Sequence, residues 1–385
     1  MACSSARSEP GRALAALVAV ALTAACGSEG APDPGCPAPG AGRVVTADWL
    51  NRSLTVLDLG RASDARCDET QAILERIDLS AHAPGPIELE LLPGGTSALV
   101  TIGPGFFAGA GSALVGSPSI EPGGGLLVVD LEQGLVSHEI ALSEVPMGLA
   151  VSPDGKRAFT ANYGDGATLG STVSVVDLEQ GDELAAVVVG QGPEQIALTP
   201  DGAIGAVNLA AEGAVRFFRT SDVQATLSPP VPTGSDPSDL AFATDVARAL
   251  VTNSQSFSVS VIDFAAWRDD PVGALPEVVA TVATLGVPYA ATVVPNTNVV
   301  LVGATLGTAS VVAIDLGAAA PTASEPIPLF GSAFALSLGV DAAGRLAFVP
   351  HPAERLLSVL ELDTGRTRGL TWLTDVGPTY VAVKP

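Results

Sequence analysis

Basic residues are scarce in this chain. Lys and Arg number 18 against 41 Asp and Glu, giving a formal charge of −23 at pH 7. Phosphate backbones are held by clusters of Lys and Arg, so this balance excludes nucleic acid as a partner. It also argues against attraction to an anionic membrane surface. Aromatic side chains are few, at 4%, so strands must be built from Val, Leu, Ala and Ile. Cysteine occurs 4 times, without metal-ligand spacing and without a C-x-x-C-H haem attachment. No nucleophile elbow, Walker motif or dinucleotide fingerprint stands in a strand–helix setting. "GAGSALVG" at 109–116 is Gly-rich, but no helical pattern follows it. Charged residues make up only 15% and hydrophobic ones 47%, which excludes a disordered chain.

Glycine (42) and proline (30) are plentiful, and both punctuate turns. At the N-terminus, Arg7 and Arg12 precede the apolar run "ALAALVAVALTAAC" at 13–26. A basic flank and a short apolar core make a secretory signal, too short to span as a mature helix. The run ends at Thr23-Ala24-Ala25-Cys26, then Gly27. This resembles a bacterial lipobox, with Thr23 where the motif has Leu. The resemblance implies a signal peptide over 1–25 and a lipidated Cys26, followed by a flexible tether over 26–42. Cys3 leaves with the signal. Export places Cys36 and Cys67 in an oxidising compartment, where a disulfide between them would pin the tether to the first repeat.

From residue 43 the sequence repeats. "PMGLAVSP" (146–153), a turn at Asp154-Gly155, "RAFTANYG", "STVSVVDL", a turn at Gly181 and "ELAAVVVG" read as four short antiparallel strands. Pro at i and i+7 brackets the first strand at 86/93, 146/153, 193/200, 288/295 and 378/385. Pro237 opens another copy, and Ala335 with Ala342 a degenerate one. Third-strand endings such as Val129-Asp130-Leu131, Val176-Asp177-Leu178 and Ile314-Asp315-Leu316 give the same total of seven. The period is about 49 residues, the spacing of propeller blades. The first copy lacks a first strand, while the chain ends in one, "GPTYVAVKP" (377–385). The expected fold is therefore all-β: a seven-bladed propeller over 43–385, closed by the C-terminal strand pairing into the first blade.

"FTANYG", "VTN", "STVSVVDLEQG" and "PEQIALTPDG" resemble the YVTN family of seven-bladed β-propellers, over essentially all of 43–385. That family is in turn similar to lactonase-type propellers and to the propeller subunits of quinone-dependent amine dehydrogenases. Export, acidity, the complete repeat architecture and the lack of a concentrated catalytic constellation lead to the expectation of an envelope binding protein without catalysis. The resemblance implies as alternatives a lactonase-like hydrolase or the propeller subunit of a redox enzyme. A phosphorylated substrate would want Arg or Lys near the channel, and the positions expected there supply neither. Trp49, Trp267 and Trp372 are expected to be packing residues.

In a propeller the first strands line a central channel. Residues just after each leading Pro, and those ending each second strand, are expected at one face of it. These are Glu88, Met147, Glu194, Gln195, Asp239, Tyr289, Leu336 and Tyr380, with Asp48, Asn162, Asn253 and His351. Glu88, Glu194 and Asp239 could form an oxygen-rich Ca²⁺ site, or be separately solvated acids. His351 could act as a base beside Asp48 across the closure seam, or be a rigid loop residue between Pro350 and Pro352. The third-strand aspartates (Asp58, Asp130, Asp177, Asp263, Asp315) are expected to hold turns by Asx bonds rather than metal. Phe106 and Phe107, on the insertion 102–125, are expected to contact a partner or ligand. The expected protein is a monomeric lipoprotein of the outer membrane or periplasm, held to the membrane by its anchor alone. Its partner would be an envelope protein or a small ligand.

Overall fold

The computed structural model describes residues 35–82, 84–103, 124–165, 168–330, 335–371 and 378–384. Phe106, Phe107, Cys26 and Trp372 lie outside them. The strands assemble into seven four-stranded antiparallel sheets. Six are continuous in sequence, as in the blade Gly148–Val151, Arg157–Gly164, Leu169–Asp177 and Asp182–Val188. The seventh is composite: Arg43–Asp48, Ser53–Asp58 and Ile73–Asp78 are joined by Tyr380–Lys384 from the chain's end. Residues in register there are Val45 with Ala382 and Thr46 with Val381. We call this composite sheet blade 1 and number the others along the chain.

The innermost strand of each blade touches the innermost strand of the next, all the way round. The ring is thus closed by ordinary strand pairing, and the edge of Arg43–Asp48 is covered. Side-chain alternation then divides the core. Val44 faces blade 7 with Leu57, Phe348 and Val359, while Val45 faces blade 2 with Leu89, Val100 and Leu127. Each blade interface has its own apolar cluster. The scarce aromatics concentrate between blades 4 and 5, where Phe217 packs on Phe242, Phe264 and Trp267.

The repeated Pro-Asp-Gly has a packing reason. Gly202 (φ +69°) closes the Thr199–Gly202 turn through its N–H to Thr199 O at 2.7 Å. Thr199 Oγ1 donates to Asp201 Oδ1 at 2.6 Å, fixing the turn from inside. A Cβ on Gly202 would lie 2.4 Å from Pro153 of the preceding blade. Gly155 meets Pro93 and Gly344 meets Pro295 in the same way, so the second Pro of these brackets is where the next blade's turn docks. The third-strand aspartates hold turns: Asp130 Oδ1 accepts from Glu132 N and Gln133 N, and Asp177 Oδ1 from Glu179 N and Gln180 N. Asp58 caps the short helix Leu59–Ser63 by accepting from Arg61 N at 2.8 Å.

Cys36 and Cys67 form a disulfide. It ties the segment before blade 1 to the connection between that blade's outer two strands. Arg61 Nε donates to Pro37 O at 2.8 Å, and the Arg368 guanidinium of blade 7 donates to Asp64 O and Cys67 O. The connection is thus gripped from both sides of the seam.

Deleting residues 379–385 should remove the Tyr380–Lys384 strand and expose the Arg43–Asp48 edge. The expected result is a lower unfolding temperature and self-association, read by calorimetry and size-exclusion chromatography. An unchanged, monomeric, cooperatively unfolding variant would show that closure does not hold the ring.

Candidate binding site at the channel mouth

Two motifs recur where second strands end, and together they decide which side chains reach the channel. In four blades a polar residue at or near the end of the strand faces the third strand of its own blade. Asn162 Nδ2 donates to Thr172 Oγ1 and Ser174 Oγ, each at 2.8 Å, and Thr160 Oγ1 donates to Asn162 Oδ1 at 2.7 Å. Asp48 occupies the same place: its carboxylate accepts from Thr55 at 2.6 Å, Thr46 at 3.3 Å and Ser53 at 3.4 Å. Asn253 Nδ2 donates to Ser258 and Ser260, and His351 Nε2 bonds Ser358 Oγ at 2.9 Å. All four are buried. The sequence expectation that Asp48, Asn162, Asn253 and His351 face the channel is therefore corrected: they fasten second to third strands inside their blades. Asp48 and His351 are the same fastener in two neighbouring blades, not an acid–base pair assembled at a mouth.

The penultimate residue faces the next blade instead. Thr101 Oγ1 donates to Met147 O at 3.0 Å, Asn208 Nδ2 to Pro237 O at 2.8 Å, and Thr252 Oγ1 to Tyr289 O at 3.3 Å. These bonds stitch one blade's second strand to the segment leading into the next blade's first. They place the residue after each leading Pro at the channel.

There the structure brings together Glu88, Met147, Glu194, Gln195, Asp239, Tyr289, Leu336 and Tyr380, around a chamber of about 70 Å³. Trp49, Ile87, Ser238 and Thr379 complete its lining. The sequence reading missed Trp49 as a lining residue. Its position directly after a second strand is the signal that could have found it. Trp49 Nε1 donates to Gly103 O at 3.1 Å, which holds the ring across the seam between blades 1 and 2. Below the chamber the channel widens to a cavity of about 520 Å³. Glu88, Gln195, Asp239 and Tyr380 border both spaces and form the neck between them.

The acids of the mouth are not equivalent. Glu88, 3% exposed, accepts from Tyr380 Oη at 2.6 Å. Asp239 Oδ2 accepts from Ala291 N and Oδ1 from Leu240 N, each at 2.7 Å, so it clamps the innermost strands of blades 5 and 6. Glu194, 7% exposed, has no hydrogen-bond partner on its carboxylate. Burial raises all three above the usual carboxylate range; Asp239 is pushed up to about 7. For Glu194 the charges of Asp236 and Asp239 add to burial. Burial and the charges of Glu194 and Asp236 likewise hold Tyr289 in its neutral form. Glu90, on the wide side of the neck, is also pushed up to about 7 by burial. Among the described residues, no three Asp, Glu, His or Cys side chains stand close enough to hold a metal ion.

The fold and this site define a closed seven-bladed β-propeller with an acidic, aromatic-walled channel mouth. No protein-family model and no curated protein matches the sequence. Among solved structures, the chain is similar to hydrazine synthase of Kuenenia stuttgartiensis, at 19% identity and a TM-score of 0.55, over 73% of this chain and 77% of that one. It is also similar to a protein of unknown function from Desulfotomaculum acetoxidans, at 14% identity and a TM-score of 0.67, over 89% and 99%. At such identities the likeness carries the fold alone.

Asp48 yields a pH-dependent prediction. Burial pushes its carboxyl up to about 7, against the pull of its hydroxyl partners. The folded state therefore retains a proton that the unfolded state gives up near pH 4. That contribution is complete below pH 4 and lost as pH rises through 7. Asparagine, which blade 3 uses in the same place, has no proton to lose. Asp48→Asn should stabilise the fold by about 1–3 kcal/mol at pH 8 and hardly at all at pH 4. Asp48→Ala should destabilise it at both, by about 1–3 kcal/mol, because the buried Thr46 and Thr55 hydroxyls and the half-buried Ser53 hydroxyl lose their acceptor. Urea denaturation at the two pH values would check both.

Proposed function

We propose that this is an exported, lipid-anchored propeller of the cell envelope that captures a small ligand at its channel mouth without turning it over. The observation that carries the binding reading is Glu194: a residue 7% exposed, lining the chamber, whose carboxylate accepts no hydrogen bond among the described residues. Burying such a group is costly unless something satisfies it. Binding is favoured over turnover because the neighbours are committed. Asp239 holds two backbone amides, Glu88 holds Tyr380, and the Ser238 hydroxyl pairs with Thr252 Oγ1 at 3.0 Å. Resemblance to YVTN-type propellers supports the same reading.

Export and anchoring rest on the basic and apolar segment before Cys26 and on the lipobox-like Thr23-Ala24-Ala25-Cys26. The Cys36–Cys67 disulfide suits an oxidising compartment. Gly27 after Cys26, rather than Asp, suits an outer-membrane destination. Among the described residues no helix is long and apolar enough to cross a membrane. The balance of acids over bases suits a monomer kept soluble by its charge.

Mass spectrometry of the mature protein should find acyl chains on Cys26, and Cys26→Ala should release the protein from membranes. Purified protein should show no turnover on a panel of lactones, with or without Ca²⁺. Turnover abolished by Glu194→Gln would overturn the binding reading in favour of a hydrolase at this site.

A further inference from the structure

We propose that the chamber is a receptor for a small organic ammonium ion, with the Glu194 carboxylate as its counter-charge and Trp49, Tyr289 and Tyr380 as its aromatic wall. This deepens the binding reading above and rests on it.

The inference begins with what Glu194 lacks. The residue is 7% exposed, lines the chamber, and among the described residues no group donates to its carboxylate. Among the described residues no Lys, Arg or His lines the chamber to neutralise it. The Gln195 side-chain amide, the nearest donor in sequence, is bonded to Glu88 instead. A ligand seated in the chamber would supply the donor that Glu194 lacks.

The surroundings select the kind of donor. Asp236 and Asp239 act on Glu194 with the same sign of charge, and Asp239 acts on Glu88 in the same way. Such a field repels anions and gives a neutral donor only a hydrogen bond, while a cation gains from every acid present. Three aromatic residues, with Met147, Leu336 and Ile87, supply the rest of the wall. Aromatic rings attract cations through their quadrupoles, and an apolar wall suits alkyl groups rather than a hydrated ion. Ca²⁺ would need six to eight oxygens, yet Asp239 is spent on backbone amides and no metal-holding triad occurs among the described residues. The chamber, with about 70 Å³ open to water centres, has room for roughly five of them. Small ions such as methylammonium, propylammonium or tetramethylammonium are the first probes for a space of this kind.

The titratable groups around the chamber add a coupling. They are Glu88 and Glu90 from blade 2, Tyr163 from blade 3, Glu194 from blade 4, Asp236 and Asp239 from blade 5, Tyr289 from blade 6 and Tyr380 from blade 1. Lys384 stands apart, its Nζ donating to Leu92 O at 2.7 Å. With its acids raised by burial, the empty site keeps protons to higher pH than exposed carboxylates do. A bound cation favours the carboxylate, so it releases protons, and binding tightens as pH rises.

The test uses titration calorimetry on the full mature chain at pH 6 and pH 8 and constant ionic strength. The probes are tetramethylammonium and propylammonium chloride, with tert-butanol, sodium propionate and CaCl₂ for comparison. Both ammonium ions should bind saturably, more tightly at pH 8, and with proton release seen as a dependence on buffer ionisation enthalpy. Glu194→Gln, nearly isosteric, should weaken them about tenfold or more, and Glu179→Gln on an exposed turn should not. Unfolding temperatures of both variants control for folding. Ammonium binding that is absent, or equal in Glu194→Gln, overturns the inference. If tert-butanol, propionate or Ca²⁺ binds instead and Glu194→Gln abolishes it, the site stands as a binding site but the ammonium assignment falls. If no probe binds and a broader metabolite panel also fails, the binding reading falls with it.

Discussion

Everything in this protein depends on one antiparallel pairing, that of Tyr380–Lys384 with Arg43–Asp48. It joins residues at opposite ends of the chain, so its loop-closure entropy is met late and only once. When it forms, the innermost strand of blade 1 enters the ring and brings Tyr380 opposite Glu88. Val381 N then donates to Ser337 Oγ of blade 7, and Thr379 Oγ1 to Ala47 O. Without the pairing the other six sheets could still form, but they would have no common axis. The chamber would lose Thr379 and Tyr380 together. Fold and site therefore share one dependence.

The channel mouth shows how a repeat architecture releases individual positions for function. Every blade delivers one to three side chains to the chamber. Most are then used structurally: Asp239 clamps neighbouring strands, Glu88 meets the closing strand, and Trp49 bonds Gly103 O. Glu194 alone among the mouth acids is left without such work. It sits beside acids that make its charge harder to sustain. A single unpaired buried group against a background of satisfied ones is a stronger functional signal than the acidic ring as a whole.

Much of this was legible in the sequence, because blade architecture is written in turns and alternation. Pro brackets, Asp-Gly turns and third-strand aspartates predicted seven blades and closure by the C-terminal strand, and those are the blades observed. Glu88, Glu194, Gln195, Asp239, Tyr289 and Tyr380 were placed together because each follows a leading Pro or its substitute. Asp48, Asn162, Asn253 and His351 were misplaced by a matter of parity. Adjacent strand residues face opposite sides, and only the coordinates show that the last residue of the second strand turns into its own blade. The penultimate one, Thr101, Asn208 or Thr252, turns toward the next. Nor could the sequence separate Asp239 from Glu194. Both are acids after a Pro, and only three-dimensional packing shows that one is clamped and the other free.

The disulfide has a mechanical consequence. Cys36 lies only a few residues before Arg43, whose strand is the partner of the closing strand. Tension applied to the chain at Cys36 would, without a cross-link, pull straight on that strand and peel the ring open at the closing seam. The Cys36–Cys67 bond diverts the force path to the outer connection of blade 1, where Arg368 of blade 7 holds Asp64 O and Cys67 O. Load is thereby shared between two blades at the rim, and the strand that closes the circle is shielded from traction.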